Sequence, residues 1–435
     1  MGIGAPGRVA YVNARLLDPA SGLDAPGGLL TEGEHIVHFA PGLFDDGPPV
    51  GAEIVDCGGA CLAPGLVDMR AQLREPGQEH KESFKSAGRA AVAGGITSMV
   101  GLPNTNPVID DEATVEFVAR RARLIGLAKV FTYAAATKGL AGQELAEIGL
   151  LRQAGALAFT DGVKAIADAQ VMRRLLAYAA SHDLLVIQHP EEPSLATGAM
   201  NAGELATRLG LSGIPREAEI IMLERDMRLV AMTGARYHAA HVSTAEGVAI
   251  LRKAKAAGLR VTCDTAPFYF ALNELEVGEY RTFAKLSPPL RAEEDRRAIV
   301  AGLADGTIDV IASDHCPQDQ DTKRLPFNLA EFGGIGLETL LPVTLKLVQN
   351  GALSLLEALD RVTRAPADLL GLEAGRLRTG APADLVVFDP EAPWKVVADT
   401  MRSKSKNSPF DGHLVQGKVI RTVVDGRTVF PEPAR

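Results

Sequence analysis

Few of the residues that tie a chain to an oxidising compartment, a membrane or a nucleic acid are present here. Only four cysteines occur in 435 residues, Cys57, Cys61, Cys263 and Cys316. They are scattered with no compact framework, which excludes a disulfide-built fold and reads as reduced thiols in a cytoplasmic protein. Cys57 and Cys61 lie close together, but no second pair accompanies them as a structural zinc site would need. No apolar run approaches the ~18 residues of a membrane span, and the N-terminus lacks both the basic start and the apolar core of a signal peptide. Positive charge is in deficit: 45 Lys and Arg against 54 Asp and Glu give a formal net charge of −9, which argues against nucleic acid or an anionic membrane as partner. Aromatics are 5% of the chain and hydrophobic residues 46%, so the core is one of Ala, Val and Leu, and nothing resembles disorder. The opening Met1-Gly-Ile-Gly-Ala-Pro-Gly7 spells Gly-x-Gly-x-x-Gly. No strand precedes it, so it has no dinucleotide-binding context and is expected to be a tail.

What is present has a clear order. Residues 8 to 62 alternate short apolar runs with turn residues, as in Val9-Ala-Tyr-Val-Asn13 and His35-Ile-Val-His-Phe39, the pattern of a small antiparallel β unit. From Ala63 eight short apolar runs follow, each ending in polar residues and each succeeded by a longer amphipathic segment: Leu66 to Met69, Thr97 to Leu102, Lys129 to Ala134, Ala156 to Thr160, Leu184 to Gln188, Tyr237 to Val242, Arg260 to Asp264 and Ile308 to Ser313. Eight strand-then-helix units predict a (β/α)8 barrel, a TIM-type α/β fold. The segment Asp111 to Arg121 opens acidic and closes basic, which suits a helix dipole. Helices are likewise expected over Ala169 to Ala180 and Thr244 to Ala257, with another opening at Pro215-Arg-Glu-Ala-Glu219. The β pattern returns in Ala383-Asp-Leu-Val-Val-Phe-Asp389 and Val419-Ile-Arg-Thr-Val-Val-Asp-Gly426. The expected organisation is a small β-sandwich domain built from residues 1–62 and 377–435, flanking a barrel over 63–376.

In such a barrel, catalytic groups sit at the C-terminal ends of the strands. Asp161 follows the fourth run, His189 the fifth, His241 closes the sixth and Asp314 the eighth. Four such groups at successive strand ends point to a site rather than to scattered surface polarity.

Three motifs, Pro64-Gly-Leu-Val-Asp68, Arg74-Glu-Pro-Gly77 and Leu102-Pro-Asn-Thr105, resemble the opening signature of the class I dihydroorotases of the amidohydrolase superfamily. Ala239-Ala-His-Val-Ser-Thr244, Ser313-Asp-His-Cys-Pro317 and the tail Ser403-Lys-Ser-Lys-Asn-Ser-Pro-Phe410 extend the resemblance from about residue 50 to the end. It implies the barrel with a split β domain, Asp314 as general base, Arg74 and Asn104 as holders of a substrate carboxylate, and Asp161, His189 and His241 as metal donors. Where the family carries His-x-His after the aspartate, this chain has Arg70-Ala71-Gln72. Residues two apart on a strand share a face, so the missing histidines would have held a metal from one strand end. Arginine offers no lone pair, and a Gln carbonyl is at best a weak ligand. The family's Thr-Pro-His-His is Ala266-Pro-Phe-Tyr269 here, and its Asp-His-Ala-Pro-His is Asp314-His-Cys-Pro-Gln318. The chain therefore resembles dihydroorotase homologues with a degenerate metal site, expected to hold at most one zinc. Arg70, a permanent cation, is expected to occupy part of the metal volume and to bond one or both of Asp161 and Asp314.

The resemblance implies a cytoplasmic, homo-oligomeric protein of de novo pyrimidine synthesis, handling N-carbamoyl-L-aspartate and dihydroorotate with low or no activity. Two other readings stay open. One is a non-catalytic structural partner of aspartate transcarbamoylase; the other is a hydrolase of another cyclic amide, a hydantoin or allantoin, against which Arg74, Asn104 and the tail weigh.

Overall fold

The structure, a computed structural model, describes residues 7–432; the expected tail falls almost wholly on residues outside them. The barrel begins with the strand Leu66–Ala71, which pairs in parallel with Ile96–Gly101, itself paired with Lys129–Thr132. A second parallel run joins Leu185–Gln188, Arg236–Ala239, Val261–Thr265 and Val310–Ile311. The two runs meet on one side through Phe159, bridged to both Ala134 and Val186, and on the other through the bridge of Ala71 to His315. The expected fourth strand, Ala156 to Thr160, is thus reduced to a single bridging position. Phe159 donates to Leu185 O and accepts from Ile187 N, while Thr160 N donates to Ala134 O, so the backbone is paired on both flanks without a regular ladder. Every residue of the first two strands is buried, which is why a parallel barrel strand reads as an unbroken apolar run.

The helices start where the sequence supplies caps. Ser83 and Ser86 cap Phe84–Ala93 reciprocally. Asp111 accepts from Thr114 N ahead of Glu112–Ile125, which ends at Gly126 with φ 66°; Asp168 and Thr244 cap Ala169–Ser181 and Ala245–Ala256 in the same way. Each such side chain satisfies a backbone N–H that the helix itself leaves unpaired. On the second of these helices Val115, Val118 and Ala122 are buried, a stripe at helical spacing that lies against the barrel.

Both ends of the chain build one hydrogen-bonded sheet. Its order runs from Arg427–Phe430 through Leu414–Val424, Leu385–Lys395, Cys61–Pro64, Arg8–Asp18 and Leu23–Glu32 to His35–Pro41, with Glu53–Asp56 beside Arg8–Asp18. Tyr11, Leu16, Leu29, Ile36, Leu62, Leu385 and Val423 form its own apolar core. The chain passes from sheet to barrel at Gly65, where a Cβ would stand 2.2 Å from the Thr97 side chain. Residues 403–407 then return to the barrel mouth. Ser403 bonds Glu82, and Asn407 Nδ2 donates to Cys316 O at 3.0 Å and Gly333 O at 2.9 Å. Among the described residues no helix is long and apolar enough to cross a membrane.

Candidate functional site

The end of the first barrel strand brings Arg70 to the mouth, followed one residue past the strand by Gln72; they are 1% and 5% exposed. Arg70 Nε donates to Asp314 Oδ1 at 3.0 Å and Nη2 to Gly162 O at 3.2 Å. From Asp314 a chain of contacts runs across the mouth. His241 Nδ1 lies 3.1 Å from Asp314 Oδ2, His241 Nε2 faces His189 Nδ1 at 2.7 Å, and His189 Nε2 lies 3.4 Å from Glu191 Oε2. The array is held from below: His241 N donates to Asp264 Oδ1, and Ser313 donates twice to Asp68.

Charge is settled accordingly. Burial pushes Asp314 up, but His241 and Arg70, through charge and hydrogen bonds, outweigh it and hold the carboxyl down to about 2. Burial, and then the Arg70 charge, lower His241 to about 4 against the opposing pull of Asp314. At neutral pH the core of the site is thus a guanidinium, a carboxylate and a neutral imidazole that donates Nδ1–H to that carboxylate. Buried Asp68, behind it, is raised to about 7 despite its hydrogen bonds from Ser313. Arg74, His241 and Asp314 all adopt left-handed backbone angles, φ 62°, 38° and 47°. Non-glycine residues take such angles at a cost on the order of 1–3 kcal/mol each, and only where the surroundings impose them.

Asp161 stands apart from this array. Its two oxygens accept from the Thr137 N–H, at 2.9 Å, and from the Thr137 hydroxyl. The sequence left Arg70 to bond one or both of the two aspartates; it bonds Asp314 alone, and Asp161 is held instead by the two neutral donors of Thr137. Nor is Asp161 brought together with His189 and His241. Glu191 and Thr137 escaped the sequence reading. Glu191 carries a usable signal, a carboxylate two residues beyond a strand-end histidine; Thr137 carries none.

The residues assigned to a metal therefore do not fit one. A metal needs free lone pairs converging on a point. Both nitrogens of His241 and of His189, and both oxygens of Asp314 and of Asp161, face partners within the protein. Among the described residues no group of three or more His, Cys, Asp or Glu is placed to hold a metal ion.

Above the array lies a cavity of about 370 Å³, reached by Gln72, Arg74, Lys81, Asn104, His241 and Asp314 with Phe268 and Leu286 as apolar walls. Arg74 is folded back onto Pro317 O, Gln78 Oε1 and the Cys316 thiol. Lys81 Nζ donates to Gln318 Oε1 at 2.8 Å. Asn104 Nδ2 donates to Gln72 Oε1 at 3.0 Å. A pocket of this size with few convergent polar groups suits a small polar molecule.

Residues 59–247 match the Dihydro-orotase-like family. A dihydroorotase of Pelobacter propionicus is 48% identical over 419 residues, spanning 96% of this chain and 98% of that one. A dihydroorotase of Anaplasma phagocytophilum is 46% identical, over 97% and 95% of the two chains. Among solved structures, the L-hydantoinase (dihydropyrimidinase) from Arthrobacter aurescens superimposes with a TM-score of 0.86 at 25% identity, over 97% of this chain and 95% of that one. A D-hydantoinase at 22% identity and TM-score 0.84 shares the fold.

Proposed function

Because the chain belongs to the dihydroorotase family, we propose that it works in de novo pyrimidine synthesis as a cytoplasmic protein that binds N-carbamoyl-L-aspartate and dihydroorotate but interconverts them slowly or not at all. Arg74 and Asn104 hold the ligand carboxylate, Arg74 by turning its planar fork from the weak Cys316 contact to two carboxylate oxygens. The protein carries at most one zinc and runs no step through it.

One observation carries the reading: the ion pair of Arg70 with Asp314, at 3.0 Å and almost out of solvent, stands where the family presents metal-binding histidines. It works against turnover twice. It fills the position with a cation that offers no lone pair, and, second to His241, it helps to hold Asp314 near 2, far below the pKa close to ambient pH that makes an effective general base. Closing the ring, or opening it, then lacks both an activated nucleophile and a base of matched strength.

The test is turnover by the purified protein in both directions, with and without added zinc, beside Asp314→Asn. The reading expects turnover far below about 1 s⁻¹ or none. Turnover at or above about 1 s⁻¹ that Asp314→Asn abolishes would overturn it. The intact barrel around a self-paired site also favours a second role, as a structural partner of aspartate transcarbamoylase. Co-elution of the two proteins on gel filtration at micromolar concentration supports that role; separate elution removes it.

A further inference from the structure

The Gln72–Asn104 pair has an unfinished edge. Asn104 Nδ2 donates to Gln72 Oε1 at 3.0 Å, which uses one donor group and one acceptor and leaves Gln72 Nε2 and Asn104 Oδ1. Neither of these atoms has a hydrogen-bond partner among the described residues, neither is among the buried polar atoms sealed from solvent, and both side chains line the cavity. An amide offers two N–H donors and a carbonyl acceptor, so two amides joined by one hydrogen bond keep the unpaired Gln72 NH2 group, the unpaired Asn104 carbonyl and the second Asn104 Nδ2 hydrogen, which stays available to the ligand carboxylate. Exchanging N and O in both side chains leaves the same pairing, merely reversed.

The edge is also fixed in place. Gln72 N donates to His315 O at 2.8 Å, and Asn104 sits in a turn closed by Thr105 N to Pro103 O at 2.9 Å. Gly162 packs against Asn104, since a Cβ there would lie 3.4 Å from Asn104 Oδ1. That same glycine's carbonyl holds Arg70 Nη2, and the neighbouring Arg70 Nη1, on a side chain 1% exposed, has no hydrogen-bond partner. The Gln72 donor and the Asn104 acceptor thus belong to two hydrogen-bonded side chains that line the cavity together.

We propose that the Gln72–Asn104 pair reads a cis-amide or ureide edge, adjacent N–H and C=O groups on the bound molecule, with the ligand N–H donating to Asn104 Oδ1 and the ligand C=O accepting from Gln72 Nε2. The inference rests on the reading of the cavity as the ligand site and adds to it a residue that selects the ring amide rather than the carboxylate. Gln72 is in this account a specificity residue, and the substitution that removed a metal donor supplied an amide reader.

Calorimetric titration tests it with four probes: dihydroorotate, dihydrouracil, which keeps the ureide without the carboxylate, the N,N′-dimethyl derivative of dihydrouracil, which has no N–H, and succinate, which has no amide. Gln72→Met keeps length and removes the donor. The expected result is a loss of about tenfold in affinity for dihydroorotate and dihydrouracil in Gln72→Met, with succinate unchanged and the dimethyl derivative unbound by the unaltered protein. Dihydroorotate binding to Gln72→Met within about twofold of the unaltered protein overturns the inference and leaves the proposed function standing. Dihydrouracil binding that depends on Gln72, with no binding of dihydroorotate, supports the inference and overturns the function. Failure of every ureide to bind overturns both. Should Gln72→Met not fold, the dimethyl derivative decides alone on the unaltered protein: binding equal to dihydrouracil overturns the edge, and loss of binding supports it.

Discussion

Replacing Arg70 with alanine perturbs the centre of the account. The side chain is 2% exposed and that of Asp314 11%, so the guanidinium and carboxylate meet almost without water. Arg70→Ala leaves Asp314 with His241 Nδ1, at 3.1 Å, as its remaining close polar partner, and it strips Gly162 O of the Nη2 donor. Breaking a buried pair by removing one partner costs about 3–5 kcal/mol, because the other charge stays behind unpaired. The cost depends on pH with a definite sign. The folded carboxyl, held near 2 by His241 first and Arg70 second, lies below its unfolded value of about 3.9, so Arg70's share of that stability is full above about pH 4 and fades as pH falls through the folded value. Urea unfolding followed by circular dichroism, at neutral pH and again near pH 3, measures this. A neutral-pH loss below about 0.5 kcal/mol, the range of ordinary surface changes, refutes the reasoning. So does a large loss that survives in the double variant Arg70→Ala, Asp314→Asn, since removing the charge should remove the penalty.

Two other substitutions probe the supports of the site. Asp68, raised by burial to about 7, holds a proton in the folded state that the unfolded chain releases near 4, so stability falls as pH rises between about 4 and 7. Asp68→Asn should flatten that slope in melting temperature against pH, and an unchanged slope counts against the assignment. Gly77 has φ 95°, and a Cβ there would come within 2.0 Å of Asn106 O. Gly77→Ala should cost about 2–4 kcal/mol in urea unfolding and displace the Arg74 loop, weakening dihydroorotate binding; a loss under about 0.5 kcal/mol would show that the loop adjusts freely.

The barrel was legible because parallel strands buried on both faces must be apolar throughout, and because Asp111, Asp168 and Thr244 announce their helices. The fourth strand was not, since the run Ala156 to Thr160 looks like its neighbours although only Phe159 bridges both sides. At the site, sequence could place Arg70 and Asp314 at strand ends facing one mouth, and so foresee that a cation and an anion would meet there. It could not choose between Asp161 and Asp314. That choice is made by Thr137, whose N–H and hydroxyl reach Asp161 across 24 residues, a contact with no local pattern. The Gln72–Asn104 pair escaped for the same reason: each residue was visible, one as a lost ligand and one as a carboxylate holder, but their mutual hydrogen bond spans 32 residues.

The central claim is that the protein's own side chains satisfy the donors a metal would need. Zinc content per chain, determined by elemental analysis after purification without chelators and dialysis against metal-free buffer, tests it most directly. The account predicts well under one zinc per chain, because both nitrogens of His189 and His241 and both oxygens of Asp161 and Asp314 already face partners within the protein. One or more tightly held zinc ions per chain, lost on His241→Ala, would contradict it.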